Sequence, residues 1–352
     1  MRGGFLALAR EHWARYPLME PRDFAKLAYQ SEFGPAHMAQ SPDRILAALL
    51  AERKEAGPEP IPPEPIGGGL CRFHITGGLS TLSELSLIGR MFCLTMAQTE
   101  GTAAGLLEKL EALKALPVPG MAEYLEGWRR EGCPPVRHSE AFRNAYNPHY
   151  RVLQTHMAGF LPALIPLEKL ARDLPARRKV LIAVDGRCGS GKTGFAALAS
   201  GVLACSSDVV HMDDFYLPPD RRTPDWMEVP AGNMDLERFQ KEVLSSSDRD
   251  GGTAYRPYDC RTGRLGEPVE LREPLTIVEG TYSQHPALAG FYDYTIFLTC
   301  DREEQTRRLR AREGAYYPTF DRVWRTLEER YFTACGTEGA AGLTVDTTGF
   351  FE

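Results

Sequence analysis

The sequence predicts an α/β fold, a parallel sheet flanked by helices, preceded by a mainly α-helical N-terminal domain. Three observations lead there. From about Lys179 onward, strand-length apolar runs alternate with helical stretches, the pattern of a parallel sheet. A glycine-rich segment joins the first of those runs to a helix. From Phe5 to about Leu50, apolar residues recur at helical spacing with no competing strand pattern.

The chain has 352 residues, 43% hydrophobic and 25% charged, enough for two globular domains. We read residues 1–165 as the helical domain, 166–178 as a charged, proline-punctuated linker, and 179–352 as the α/β domain. In the N-terminal part, Pro17, Pro21, Pro35 and Pro42 divide several short helices. Residues 57–69 contain five prolines and then Gly67-Gly68-Gly69, a composition expected neither to hold a helix nor to pack a strand interior. Thr81 and Glu84 have the spacing of a capping box, and Leu85, Ile88 and Phe92 follow on one stripe, which predicts a helix over about 82–98. Thr102 opens another, whose apolar face of Leu106, Leu107, Leu110, Leu113 and Leu116 ends at Pro117 and Pro119. Beyond the linker, Val180–Val184, Val209–Met212, Leu275–Val278 and Tyr294–Leu298 are continuous apolar runs, as expected of strands buried on both faces.

Charge and cysteine usage exclude several classes. The net charge of −6 arises wholly beyond residue 170 (23 basic against 29 acidic residues), a poor footprint for a nucleic-acid binder. Eight scattered cysteines form no C-x-x-C pair and no metal-type spacing, and read as reduced thiols. The apolar stretch Phe5–Ala9 is too short for a signal peptide or a membrane span. A soluble cytoplasmic protein is expected, with no nucleic-acid or membrane partner; nothing indicates a homo-oligomer.

Directly after the first strand, Gly186-Arg187-Cys188-Gly189-Ser190-Gly191-Lys192-Thr193 fits G-x-x-x-x-G-K-[ST] at every fixed position. Glycines let successive backbone N–H groups converge on phosphate oxygens, and the following helix adds its N-terminal partial charge. Lys192 is suited to neutralising β/γ-phosphate charge, and the Thr193 hydroxyl to one position on Mg²⁺. The second half is therefore expected to be a P-loop NTPase-type domain using ATP and Mg²⁺.

Acidic groups are expected at the C-terminal edge of the same sheet, where the crevice of an open α/β fold lies. The second strand leads into Asp213, assigned as the base or orienting carboxylate for an acceptor hydroxyl, and the Leu275–Val278 strand ends in Glu279, assigned to the metal side. The structural alternative for either is a helix N-cap or a solvated loop acid. Residues 301–312 carry five arginines on a predicted helix, and Arg308 and Arg312 are the candidates for neutralising a transferring phosphoryl group. Their alternative is a solvated face paired with Glu303 and Glu304.

Taken together, Asp185–Thr193, Met212–Tyr216, Asn233–Asp235, Val278–Tyr282 and Arg307–Arg312 resemble the uridine kinase family of P-loop kinases, with its pantothenate kinase, phosphoribulokinase and glycerate kinase relatives. The resemblance covers about 170 residues, from Lys179 to Leu343–Asp346, which looks like the family's last strand. It implies that Asp213 accepts the acceptor hydroxyl's proton, that Tyr216 contacts substrate, that Asp235 lies near the sugar, and that Glu279 is the metal-side carboxylate. Uridine kinases carry Thr-His-Ser-Arg after a Tyr-Asp pair; here Tyr258-Asp259-Cys260-Arg261-Thr262-Gly263-Arg264 puts Gly263 in the histidine's place. The acceptor is thus open among nucleoside, sugar acid and vitamin-like molecules. Tyr258 and Arg264 remain substrate candidates, Arg264 pointing to a carboxylate or phosphate on the acceptor.

The resemblance does not extend into residues 1–165. There, residues 137–151 hold two histidines, three arginines and two tyrosines (among them His138, Arg143, His149 and Arg151), a candidate anion patch that a second cluster, Tyr29–His37, could join. The alternative is a set of helix termini pinning an interface. The expected role of this domain is acceptor specificity or a lid. The expected activity is transfer of the ATP γ-phosphate to a small-molecule hydroxyl; the competing reading is a nucleotide-dependent switch or ATPase whose helical domain binds a protein partner.

Overall fold

The computed structural model describes residues 2–35, 41–79, 81–176, 178–245 and 253–351. The chain divides into two compact units, one ending at Gly159 and one running from Phe160 to Phe351.

The first unit contains helices α1 (Arg2–Arg15), α2 (Pro21–Phe33), α3 (Pro42–Glu55), α4 (Leu82–Gln98), α5 (Ala103–Leu113), α6 (Met121–Arg130) and α7 (Glu140–Tyr146). The Thr81–Glu84 capping box forms as expected: Thr81 Oγ1 accepts from the Glu84 amide at 3.1 Å, and the Glu84 carboxylate accepts from the Thr81 amide at 2.8 Å. Leu85, Ile88 and Phe92 are buried along α4, and Leu106, Leu110 and Leu113 along α5. The core gathers Phe24, Leu27, Leu106, Trp128 and Phe142 from four helices, α2, α5, α6 and α7.

This unit also holds an antiparallel sheet in the order β1 (Glu64–Gly67), β2 (Leu70–His74), β3 (Tyr150–Gln154). The expectation that 57–69 cannot pack a strand is therefore corrected. β1 lies at the sheet edge, where Pro65 need not donate to a neighbour, and its Ile66 is fully buried. Gly68 and Gly69 form the two-residue turn into β2 with φ of 67° and 71°, and a Cβ on Gly68 would stand 2.5 Å from the Ser31 carbonyl.

Helix α8 (Thr155–Arg172) corrects the reading of 166–178 as linker throughout. Pro162 and Pro166 lie inside it, and the helix persists because Phe160, Leu164, Leu167 and Ala171 bury a continuous apolar stripe. Glu168, 1% exposed, accepts from the Arg172 side chain and from the Ala204 amide.

The second unit is built on five parallel strands: β4 (Val180–Gly186), β5 (Ser207–His211), β6 (Leu275–Glu279), β7 (Tyr294–Thr299) and β8 (Leu343–Asp346), in the order β8-β7-β4-β6-β5. Every residue of β4 and β6 is buried, which explains their unbroken apolar runs. Helices α9 (Lys192–Val202), α10 (Arg302–Glu313) and α11 (Tyr317–Cys335) belong to this unit, as do two short antiparallel pairs, Thr253–Tyr255 with Val269–Leu271 and Tyr258–Asp259 with Arg264–Leu265. The sheet and its helices form the expected α/β P-loop fold. Among the described residues no helix is long and apolar enough to cross a membrane.

Candidate active site

The glycine-rich loop leaves the central strand β4 where only glycine fits. Gly186 has φ of 137°, and a Cβ there would lie 1.9 Å from the Leu298 carbonyl of β7. Gly189 and Gly191 also have positive φ (77° and 93°), and α9 starts at Lys192. The lysine folds back over the loop, its Nζ donating to the carbonyls of Gly186 at 2.7 Å and Arg187 at 3.0 Å. Beneath it the fully buried Asp185 accepts from the Gly186 amide, the Gln284 amide and the Tyr331 hydroxyl. Burial raises the Asp185 pKa, opposed by those hydrogen bonds.

The side chains of the loop are mostly occupied elsewhere. Arg187 reaches away to Glu329 (3.1 Å), Glu338 (3.0 Å) and the Thr299 hydroxyl (3.0 Å), so only its backbone belongs to the loop mouth. The Cys188 amide donates to Glu328 Oε2 at 2.6 Å, while Gln305 donates to the Cys188 carbonyl and to Glu328 Oε1. Desolvation raises the pKa of Glu328, which favours the neutral acid beside a loop suited to anions. Ser190 is buried, and its Oγ has no hydrogen-bond partner among the described residues.

Thr193 Oγ1 donates to Glu279 Oε1 at 3.1 Å. The parallel register sets Glu279 opposite His211 of β5, and the imidazole Nδ1 meets the same carboxylate oxygen. That contact raises the His211 pKa above its ordinary value, against desolvation. Just beyond β5, Asp213 stands in the single 3₁₀ turn Met212–Phe215, and its Oδ1 accepts from the Tyr216 hydroxyl at 3.1 Å. Burial, then the Asp213 charge, lifts the Tyr216 pKa, so the phenol remains a donor.

Cys188, Lys192, Thr193, Asp213, Tyr216, Glu279 and Arg312 line one crevice of about 530 Å³, a volume in the range of small-molecule sites. Its far wall is aromatic: Phe320 and Trp324 from α11, with the Tyr216 ring 6.2 Å from Trp324. Tyr282 also faces the crevice, with φ of 80°, an unusual conformation for a bulky residue.

The two candidate arginines differ. Both line the crevice, but Arg308 donates to the carbonyls of Gly189 (3.1 Å), Thr347 (2.6 Å) and Thr348 (3.1 Å) and pairs with Glu304, so its guanidinium is already committed. Arg312 pairs, among the described residues, only with the neighbouring Glu313, lies 5.3 Å from the Phe320 ring centroid and is half exposed. Three expected substrate residues are not in the crevice lining. Asp235 caps the one-turn helix Leu236–Phe239 and pairs with Arg221, Tyr258 is buried in a short hairpin that packs on the Met212–Phe215 turn, and Arg264 is exposed on that hairpin. Asp185, His211, Glu328, Phe320 and Trp324 were not singled out from sequence. Asp185 and His211 adjoin recognised motif residues; Glu328, Phe320 and Trp324 lie on a helix whose sequence has no local motif.

In the first unit, His138 Nδ1 meets Asp23 Oδ1 at 2.8 Å and its Nε2 meets the Tyr150 hydroxyl at 2.7 Å. Arg151 forks onto Glu52 (2.7 and 3.0 Å) and is thereby committed to an ion pair, whereas Arg143 is exposed on α7. The two N-terminal clusters meet through Gln30, which accepts from Tyr150 and from Arg72. Ala36 and His37 lie outside the described residues.

The parallel sheet, the positive-φ glycines and the Lys192–Thr193 helix start together define a P-loop domain. The solved structures to which the chain is similar include a possible uridine kinase from Bacillus stearothermophilus, at 19% identity over 53% of this chain and 98% of that one, with a TM-score of 0.40. Another is a D-glycerate 3-kinase from Cryptococcus neoformans var. grubii, at 15% identity over 50% of this chain and 85% of that one, with a TM-score of 0.35. No protein-family model and no curated sequence matches the chain.

Proposed function

We propose that the chain is an ATP-dependent, Mg²⁺-requiring kinase that phosphorylates a hydroxyl of a small-molecule metabolite. The observation that carries this reading is the presence of Asp213, hydrogen-bonded by Tyr216, in the crevice that also holds Lys192, Thr193 and Glu279. A nucleotide-holding loop alone has no use for a carboxylate and a phenol directed at an acceptor.

The donor set fits a triphosphate and its cation. The loop amides and Lys192 offer positive partial and full charge, and the Thr193–Glu279 pair offers a hydroxyl and a carboxylate oxygen at one point. When bound, Mg²⁺ would neutralise phosphate charge and orient the terminal phosphoryl group. Lys192, now held by two loop carbonyls, would exchange them for phosphate oxygens. Asp213 would align the acceptor hydroxyl and take its proton, with Tyr216 holding the carboxylate in place. Arg312, the less committed arginine of the crevice, would face the charge on the group in transfer. Phe320 and Trp324 would give the acceptor an apolar face to lie on.

The test is mass spectrometry of phosphorylated products after incubation with ATP, Mg²⁺ and a panel of nucleosides, sugar acids and vitamin-like alcohols. The expected result is a mono-phosphorylated acceptor formed in step with ADP. ADP release without any phosphorylated acceptor across the panel, stimulated instead by a protein, would replace the kinase reading with that of a switch.

A further inference from the structure

Tyr282 holds a backbone conformation that its own side chain makes costly. Of the four non-glycine residues with positive φ among those described (Cys133, Asn147, Ala231 and Tyr282), it is the one with a bulky side chain and the one that lines the crevice. The turn is held from both sides: the Gly280 amide donates to the Val184 carbonyl of β4 at 3.0 Å, and the Tyr282 carbonyl accepts from the His285 amide at 3.0 Å. A Cβ on Gly280 would stand 2.8 Å from Met212 Cβ, so this segment presses on the 3₁₀ turn that carries Asp213. Strained residues persist where the surrounding structure over-determines them, and they gather at binding and reacting sites.

What the strain secures is the place of a phenol. The Tyr282 ring packs edge-on to Tyr331, 4.9 Å between centroids, and is 5% exposed. Burial, then the charges of Glu328, Asp185 and Asp213, raise its pKa, so the hydroxyl keeps its proton. No described carbonyl or carboxylate accepts that proton, and Asn233 approaches the oxygen as a donor. Tyr216, by contrast, has its proton on Asp213 Oδ1. The Tyr282 oxygen also keeps open surface, unlike Ser283 Oγ beside it, which is sealed. A nearly buried hydroxyl with an unused proton calls for an acceptor, and the crevice is the side from which one can come.

We propose that Tyr282 determines specificity in this crevice by donating to an uncharged oxygen of the acceptor, on the carbon next to the hydroxyl that Asp213 holds. The acceptor is thus a neutral diol or polyol, a statement that rests on the kinase reading. Adjacent carbons fit because Tyr216, Asp213 and Tyr282 are close enough for the charge of each to act on the next. The oxygen is uncharged because the groups around the phenol, Asp213, Asp185 and Glu328, are all acids, and a carboxylate placed there would be repelled.

The experiment gives the full-length chain ATP, Mg²⁺ and one of three small alcohols, and follows ADP release with ³¹P detection of the phosphate ester. Glycerol carries the whole pattern, 1,3-propanediol lacks the neighbouring oxygen, and D-glycerate adds a carboxylate. The kcat/KM for glycerol should exceed that for either of the others by about tenfold or more, the worth of one hydrogen bond. Tyr282→Phe keeps the ring and the backbone, and should abolish the preference for glycerol over 1,3-propanediol without raising the KM for ATP. Should that variant not fold, Tyr282→Asn, whose side chain tolerates positive φ, removes the phenol by another route. A folded variant that keeps the glycerol preference, that loses all three alcohols equally, or whose KM for ATP rises overturns the proposal. So does a preference for D-glycerate, or the lack of a glycerol ester from a chain that phosphorylates other alcohols. ATP hydrolysis with no ester from any alcohol marks instead the failure of the kinase reading, and the proposal falls with it.

Discussion

Thr193 and Glu279 meet at a single oxygen: the threonine hydroxyl at the start of α9 donates to Glu279 Oε1 at 3.1 Å, at the end of β6. The contact joins the glycine-rich loop to a neighbouring strand, and the proposed function makes Glu279 the metal-side carboxylate. Replacing Glu279 by Ala should raise the Mg²⁺ concentration needed for half-maximal rate, or lower kcat, by about 10–100-fold, the usual cost of removing a group that orients metal ligands. Mg²⁺ titrations of ADP formation measure this; an unchanged requirement would remove Glu279 from the metal side.

Lys192 and Asp213 should separate binding from chemistry. Lys192→Ala is expected to weaken ATP use sharply, read as kcat/KM for ATP. Asp213→Asn keeps the shape and the Tyr216 contact but not the base, and should leave ATP affinity in place while lowering kcat by about 10²–10⁴. Retained kcat in the Asp213→Asn protein would show that another acid serves.

Arg308 and Arg312, one helical turn apart, should behave differently. Arg308→Ala removes the guanidinium that donates to the carbonyls of Gly189, Thr347 and Thr348 and is expected to cost about 2 kcal/mol or more of stability, seen in denaturant unfolding. Arg312→Ala should change stability by no more than about 0.5 kcal/mol while lowering kcat at least about tenfold. The opposite pattern would exchange their roles.

Glu328 holds the Cys188 amide as a near-fully buried acid. Glu328→Gln retains one acceptor oxygen but turns an NH₂ toward either the Cys188 amide or Gln305, both donors, and should raise the KM for ATP by about 3–10-fold, the cost of one lost hydrogen bond. Glu328→Ala leaves the Cys188 amide without its acceptor and Gln305 with only the Cys188 side of its contacts, and is expected to destabilise the chain by about 1–3 kcal/mol with a raised KM. Thermal unfolding together with ATP kinetics distinguishes the two.

His138 should make the first unit sensitive to acid. Burial lowers its pKa to about 4 from 6.5, against the favourable Asp23 contact, with Arg72 and Lys26 adding to the depression and Tyr150 at its other nitrogen. The unfolded chain therefore takes up a proton that the folded chain refuses, so stability present above pH 6.5 is lost as pH falls toward 4. His12 and His74 shift in the same direction. Between pH 7 and 5 the His138 contribution is about 2 kcal/mol, read from urea unfolding, and His138→Gln should flatten that slope. An unchanged slope in the variant would assign the acid sensitivity elsewhere.

The sequence by itself determined what is local or repeated along the chain. Strands buried on both faces must be apolar at every position, so Val180–Val184 and Leu275–Val278 were legible, and a loop that wraps phosphate needs glycines at fixed spacing, so residues 186–193 were legible too. The capping box at Thr81 was visible for the same reason: its two partners are three residues apart. What only the tertiary structure decided were relationships between residues far apart in sequence. The prolines of 57–69 and of α8 read as breaks because neither the edge position of β1 nor the buried stripe of α8 is a property of the segment alone. The sorting of Arg308 from Arg312, the pairing of His211 with Glu279, and the meeting of Glu64, Arg72, His74 and Tyr150 on one sheet face depend on strand order and register. Local composition sets which backbone conformations are cheap, but which charges share a buried space is settled by packing, where an unpaired polar group costs as much as a hydrogen bond is worth.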